Sequence, residues 1–172
     1  MTEELRLREA VAADGAALAA IYNHYIANTT ITFEESPIDA AEMTARLADV
    51  MGAKLPYIVA EHGGRIAGYA YASKWKGRCA YRFTVETTVY LDRDAVRRGI
   101  GSALYRELLR RLQAAGLHAA IGGIAIPNDA SISLHERMGF TQVGLFREVG
   151  FKFGRWIDVG YWQRTFDTRA ES

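Results

Sequence analysis

The chain has 172 residues and a mass of 19.1 kDa, the size of one domain at roughly 100–200 residues each. With 49% hydrophobic and 24% charged residues it has the composition of an ordinary globular protein, which excludes extensive disorder. Lys and Arg number 21 against 20 Asp and Glu, so no global field draws the chain to nucleic acid or to an anionic membrane, and any phosphate site must be local. The lone Cys79 has no disulfide partner within the chain, and with four scattered His it gives no zinc spacing; a reducing, cytoplasmic setting and no metal are expected. The start, MTEELRLREA, lacks the order of a signal peptide, and no stretch approaches the ~18 apolar residues of a membrane span. No linker composition or internal repeat divides the chain, so residues 1–172 are expected to be a single domain.

Residues 5–9 alternate apolar and polar, as in a short strand, and Asp14 opens an Ala-rich stretch with Leu18, Ile21, Tyr22 and Tyr25 at helical spacing. A Thr-rich segment ends at Pro37, and Asp39 to Met51 predict a second helix stopped by Gly52. The segment between these helices is a candidate for contact with substrate. PYIVAE and RIAGYAYAS flank His62-Gly63-Gly64, an antiparallel hairpin whose glycines supply the positive φ of the turn. Residues 80–91 are dense in β-branched and aromatic side chains and predict a central strand. Gly99 opens a helix with Leu104, Leu108, Leu109 and Leu112 on one face, stopped by Gly116. HAAIGGIAIP predicts a buried strand, Asn128 caps a short helix to Met138, and the last ~30 residues supply two more strands. Hairpins mixed with a crossover helix imply an α+β, mixed-sheet domain.

The segment Arg97-Arg98-Gly99-Ile100-Gly101-Ser102 lies between a strand and a strong helix. Small residues let successive N–H groups converge there, and the helix N-terminus adds positive potential, so the junction suits a pyrophosphate; Arg97 and Arg98 add local charge. The bland alternative is a tight turn. The dinucleotide fingerprint is disfavoured by Leu104 where a third glycine is needed, and the Walker motif by the absence of Gly-Lys-Ser/Thr.

Val96-Arg97-Arg98-Gly99-Ile100-Gly101, followed by Asn128, Ser131 and Leu134-His135-Glu136-Arg137-Met138-Gly139-Phe140, resembles the two signatures of the GNAT superfamily of acetyl-CoA-dependent N-acetyltransferases. Val96 departs from the usual Gln or Arg. Over nearly the whole chain, Ile21-Tyr22-Asn23, Thr84-Val85-Glu86, Ile126-Pro127-Asn128 and Gly150-Phe151-Lys152-Phe153-Gly154-Arg155-Trp156 are similar to the phosphinothricin and methionine sulfoximine N-acetyltransferase group. The resemblance implies a GNAT fold, a mixed, mostly antiparallel sheet of about seven strands flanked by about four helices. It also implies acetyl transfer from acetyl-CoA to the α-amino group of phosphinothricin, methionine sulfoximine or methionine sulfone, and a homodimer whose site is completed across the subunit boundary.

Amide formation from a thioester requires a neutral amine, and a base must remove the ammonium proton. The resemblance gives this role to Glu86, whose alternative is an outward-facing carboxylate among threonines. It has the backbone at Val89, Tyr90 and Leu91 pair with the extended arm of the cofactor, where an N–H also polarises the thioester carbonyl. Asn128 has two compatible roles, cofactor contact and helix cap. His135 stands between protonating the departing thiolate and a purely structural role. Arg82 lies four residues before Glu86, with Thr84 between them. On the predicted strand both residues share one face, where Arg82 could grip a substrate carboxylate; the alternative is a solvated edge charge. Phe33, Glu34 and Lys152 stand as specificity residues or as packing and solvation. Competing readings are acetylation of another small amine, a non-catalytic acyl-CoA-binding module, and a nucleotide-binding protein.

Overall fold

A computed structural model describes residues 4–96 and 98–167, so Arg97 lies outside the described residues. In chain order the elements are β1 (Arg6–Glu9), α1 (Gly15–Asn28), α2 (Ala40–Gly52), β2 (Tyr57–His62), β3 (Arg65–Lys74) and β4 (Thr84–Leu91). They are followed by α3 (Ile100–Ala114), β5 (Ala119–Ala125), α4 (Asp129–Arg137), β6 (Thr141–Lys152) and β7 (Arg155–Thr165). The strands form one seven-stranded sheet in the order β1-β2-β3-β4-β5-β7-β6, and β4–β5 is its parallel pair.

The sheet is covered on both faces. Leu104, Leu108 and Leu112 of α3 are fully buried against Ile58, Ala70, Val85 and Ala120, with Phe140 and Trp162 extending this core towards α4. Leu18 and Ile21 of α1 and Met43 and Leu47 of α2 cover the other face, together with Tyr57 and Tyr69. The leucines recur every three or four residues along α3, which keeps one stripe facing the sheet. Asp39 caps α2 by accepting from the Glu42 N–H at 2.8 Å, as its sequence position suggests.

One expected element is shorter than its composition suggests. Strand β4 begins at Thr84, not residue 80; Cys79–Tyr81 form a 3-10 turn. The turn is closed by Tyr81 N–H to Arg78 C=O at 3.0 Å and Arg82 N–H to Cys79 C=O at 3.1 Å. Arg82 therefore has helical φ and ψ of −59° and −19° and does not share a strand face with Glu86. Aromatic residues raised the strand propensity of this segment, but local i to i+3 bonds captured its backbone groups first.

The feature that makes a site is a parting of strands. β4 pairs with β5 only from Thr84 to Glu86, opposite Ala119 to Ile121. Beyond that point β4 follows β3 as far as Leu91–Gly68, while β5 follows β7 as far as Ala125–Val159. The sheet opens between them.

Candidate active site

A cavity of about 380 Å³ occupies this opening. One wall is Ile31, Thr32 and Phe33 from the α1–α2 segment, and its floor is β4 from Glu86 to Tyr90. Gly123 to Ala125, Asn128, Ser131 and His135 close the β5–α4 side, and Val149, Val159 and Tyr161 complete the rim.

The main chain of β4 faces this gap in a fixed pattern. Trp75 N–H donates to Thr84 C=O at 3.4 Å and Asp92 N–H to Ala67 C=O at 2.9 Å. The antiparallel ladder alternates, so the even-numbered residues of β4 spend their backbone groups on β3 while Val89 and Leu91 direct theirs into the gap. The Leu91 carbonyl already accepts the Tyr25 hydroxyl at 2.6 Å. Val89 thus presents an open strand edge beside the cavity, suited to one more extended chain. Tyr90 turns its ring away to pack with Tyr22 and Tyr25, at centroid distances of 5.2 and 5.0 Å.

At the start of α3, Gly99 takes the left-handed φ of +76° that the turn requires. The first intrahelical bond runs from Ala103 N–H to Gly99 C=O at 3.0 Å, so the N–H groups of Ile100, Gly101 and Ser102 precede the helical ladder. Convergent N–H donors, a helix N-terminus and an adjacent open strand edge fit the pyrophosphate and pantetheine portions of acetyl-CoA. Exposed Arg98 lies beside this cradle with Asp92 and Asp94.

Glu86 lies where the strands part. Its neighbours Val85 and Thr87 are buried towards α3, so its own side chain projects to the opposite face and into the cavity. Burial pushes the Glu86 carboxyl above the usual range, and the charge of Lys76 opposes part of that shift. A raised pKa makes the carboxylate a stronger base.

Across the gap, three buried side chains form a chain of hydrogen bonds. The Tyr105 hydroxyl lies 2.8 Å from His135 Nε2 and within hydrogen-bonding distance of the Thr87 hydroxyl. His135 Nδ1 lies 2.8 Å from the Ser131 carbonyl. A carbonyl only accepts, so Nδ1 carries the proton and Nε2 accepts from Tyr105. Burial lowers the His135 pKa and favours this neutral form. The Asn128 carboxamide accepts from Ser131 N–H at 3.1 Å as the cap of α4, and it also lines the cavity. Both positions assigned to it from the sequence are therefore compatible in one rotamer.

The remaining candidates separate. Phe33 lines the cavity, but Glu34 is held by Arg46 at 2.7 and 3.0 Å, which keeps its carboxyl below the usual range. Thr84 pairs with Ala119 before the strands part and lies outside the lining. The Arg82 guanidinium stacks over Phe83, 4.5 Å from the ring centroid, and donates to the Cys79 carbonyl at 3.2 Å. Lys152 is buried and directs its ammonium to the Thr32 carbonyl rather than into the cavity. Sequence reasoning missed Thr87, Tyr105, Tyr161 and Lys76. One signal for close approach was available in the paired glycines of β5: a Cβ at Gly122 would strike the His135 ring, and one at Gly123 would come within 3.2 Å of Tyr161.

Comparison with known proteins agrees with this geometry. Residues 7–160 match the Acetyltransferase (GNAT) domain family. The chain is 43% identical over 166 residues to a phosphinothricin N-acetyltransferase of Streptomyces viridochromogenes, covering 96% of this chain and 90% of that one. It is 38% identical over 162 residues to an L-methionine sulfoximine/L-methionine sulfone acetyltransferase of Pseudomonas aeruginosa, covering 94% of each. A phosphinothricin acetyltransferase of Sinorhizobium meliloti, solved in complex with acetyl-CoA, superposes with a TM-score of 0.91 at 42% identity and covers 96% of this chain and 89% of its own. Fold, cradle and sequence similarity converge, and the chain belongs to the GNAT acetyltransferase family.

Proposed function

We propose that this protein transfers the acetyl group of acetyl-CoA to the α-amino group of a small amino-acid-like substrate, by direct attack within a ternary complex. The observation that carries the reading is the half-buried Glu86 carboxylate, set where β4 leaves β5 and a few residues before the open Val89 edge. The relatives' names support phosphinothricin, methionine sulfoximine and methionine sulfone as first acceptors.

In this mechanism Glu86 takes the proton from the substrate ammonium, directly or through water. The neutral nitrogen then attacks the thioester carbonyl carbon; a C–N bond forms, the C–S bond breaks with its electron pair going to sulfur, and the proton that the nitrogen sheds goes to the thiolate, which leaves as the thiol. The main-chain N–H of Val89 is aimed to stabilise the oxyanion of the tetrahedral intermediate. The departing thiol has an ordinary pKa of about 8.5, so it needs little help in leaving. His135, with both ring nitrogens engaged, serves here as a positioning residue that fixes Tyr105 and Thr87. Lys76 rests with its Nζ 5.1 Å from the centre of the Trp75 ring, and its charge reaches Glu86.

A homodimer is part of the proposal. The β6–β7 hairpin is the sheet edge and exposes Phe146, Val149, Phe151, Phe153 and Trp156, each more than half accessible. Large apolar side chains exposed along one hairpin suit a contact with a second copy of the chain. Exposed, free Cys79 suits the reducing interior of a cell. Among the described residues no helix is long and apolar enough to cross a membrane.

The test is thiol release from acetyl-CoA against a panel of phosphinothricin, methionine sulfoximine, methionine sulfone, ordinary amino acids, polyamines and peptides. Turnover is expected with the first three. Coenzyme A binding without turnover of any amine contradicts the proposal and returns the chain to the class of binding modules.

A further inference from the structure

Lys152 ends β6 and is 1% exposed, yet acetyl transfer leaves it without a task. Among the described residues no carboxylate lies within ion-pairing distance of it, and the more distant charge of Glu35 offsets only part of the cost of its burial. Its Nζ donates to the Thr32 carbonyl at 2.8 Å, across 120 positions of sequence, and rests 5.0 Å from the centre of the Phe153 ring. An ammonium is costly to bury against a neutral carbonyl when it could sit in water, so this placement needs a structural return.

What the bond holds is the wall of the cavity. Thr32 is itself buried, with its hydroxyl 2.8 Å from that of Tyr22, and its neighbours Ile31 and Phe33 face the cavity while remaining 39% and 38% exposed. The segment between α1 and α2 has no helix or strand to fix it. Two residues before Lys152, Gly150 receives the Phe33 ring so closely that a Cβ there would overlap it. The end of β6 thus grips the segment twice, through a main-chain carbonyl and through an aromatic ring.

We propose that Lys152 is a positioning residue for the acceptor: by holding Thr32 it sets the Ile31–Phe33 wall of the amine-binding half of the cavity, and it does so without touching the acetyl donor. The inference rests on reading this cavity as the acceptor site. It also makes the β6–β7 hairpin a determinant of which amine is accepted, because the same strand carries Gly150 and Lys152.

The test compares Lys152→Met with the wild-type protein. Hydrogen exchange of residues 29–36 is expected to accelerate about tenfold or more, the equivalent of losing one hydrogen bond to a charged group, with exchange across β4 unchanged. With an amine that the wild-type enzyme acetylates, the acceptor KM is expected to rise about tenfold, while the acetyl-CoA KM stays within about twofold and kcat within about threefold. Should Lys152→Met fail to fold, Gly150→Ala displaces Phe33 from the same wall and is expected to raise the acceptor KM selectively. Wild-type exchange at 29–36 in folded Lys152→Met overturns the inference, as does an equal rise in both KM values or, in Gly150→Ala, an unchanged acceptor KM. Absence of turnover by the wild-type protein with every amine overturns the acetyl-transfer reading instead, and the exchange result still judges the clamp.

Discussion

The side we assign to the acetyl donor is made of main chain: the open edge at Val89 in the cavity and, outside its lining, the left-handed Gly99 and the first N–H groups of α3. The acceptor side is made of side chains gathered from afar: Phe33 seated on Gly150, Thr32 held by Lys152, and Tyr161 beside Glu86. Main-chain donors survive most substitutions, so one cofactor can be kept while sequence drifts. Side-chain walls change with every replacement, so acceptors can be exchanged on the same scaffold. The Val96 departure from the family motif is tolerable for this reason.

The largest expected effect is at the junction of the two sides. Glu86→Gln keeps shape and hydrogen-bonding capacity but removes the base, and kcat is expected to fall by roughly 10²- to 10⁴-fold with both KM values little changed. Steady-state kinetics in both substrates checks this. Gly99→Val separates the sides: a β-branched residue at φ +76° strains the turn, and acetyl-CoA KM is expected to rise about tenfold or more while acceptor KM does not. Equal effects on both would break the comparison.

Tyr105→Phe probes the buried chain between the sides. It leaves the His135 Nε2 without its donor and Thr87 with only the Ile121 carbonyl at 3.4 Å, an expected loss of about 1–3 kcal/mol in urea unfolding with kcat reduced less than about tenfold. A larger fall in kcat at unchanged stability would move Tyr105 into the chemistry.

The smallest effect is expected far from the site. On α3, Glu107 is held at a pKa of about 2 by Arg110 and Arg111. Its folded pKa lies below the ordinary value, so its stabilisation is full above about pH 4.3 and is lost as pH falls towards the folded value. Arg110 is largely solvated and Glu107 and Arg111 remain partly exposed, so Glu107→Gln should cost about 1 kcal/mol or less at pH 7. That difference should vanish near pH 2, with kinetics unchanged.

The contrast between the two sides also accounts for what the sequence disclosed. Gly99, the leucine stripe of α3 and the Asn128 cap are local signals, and the donor side could be read from them. Glu86 was found through its motif, while its burial depends on where β4 and β5 part, which no local pattern encodes. Arg82 was misplaced because strand propensity outweighed the i to i+3 bonds of the Cys79–Tyr81 turn. Lys152 read equally as a specificity residue or as packing and solvation, and only the 120-residue contact with Thr32 shows it turned inward. Tyr105 escaped notice among the leucines of α3, since its hydroxyl acquires meaning only from His135 and Thr87.

The central claim is that Glu86 is the base, and the pH dependence of kcat/KM for the acceptor tests it most directly. In the wild-type enzyme the rate is expected to climb through a limb whose midpoint lies above the ordinary carboxylate value of 4.5, then level off well below the pKa of the acceptor amine. In Glu86→Gln that limb should vanish, and the residual rate should follow the fraction of free amine up to the amine's own pKa. A Glu86→Gln enzyme that keeps the wild-type limb and plateau would contradict the account.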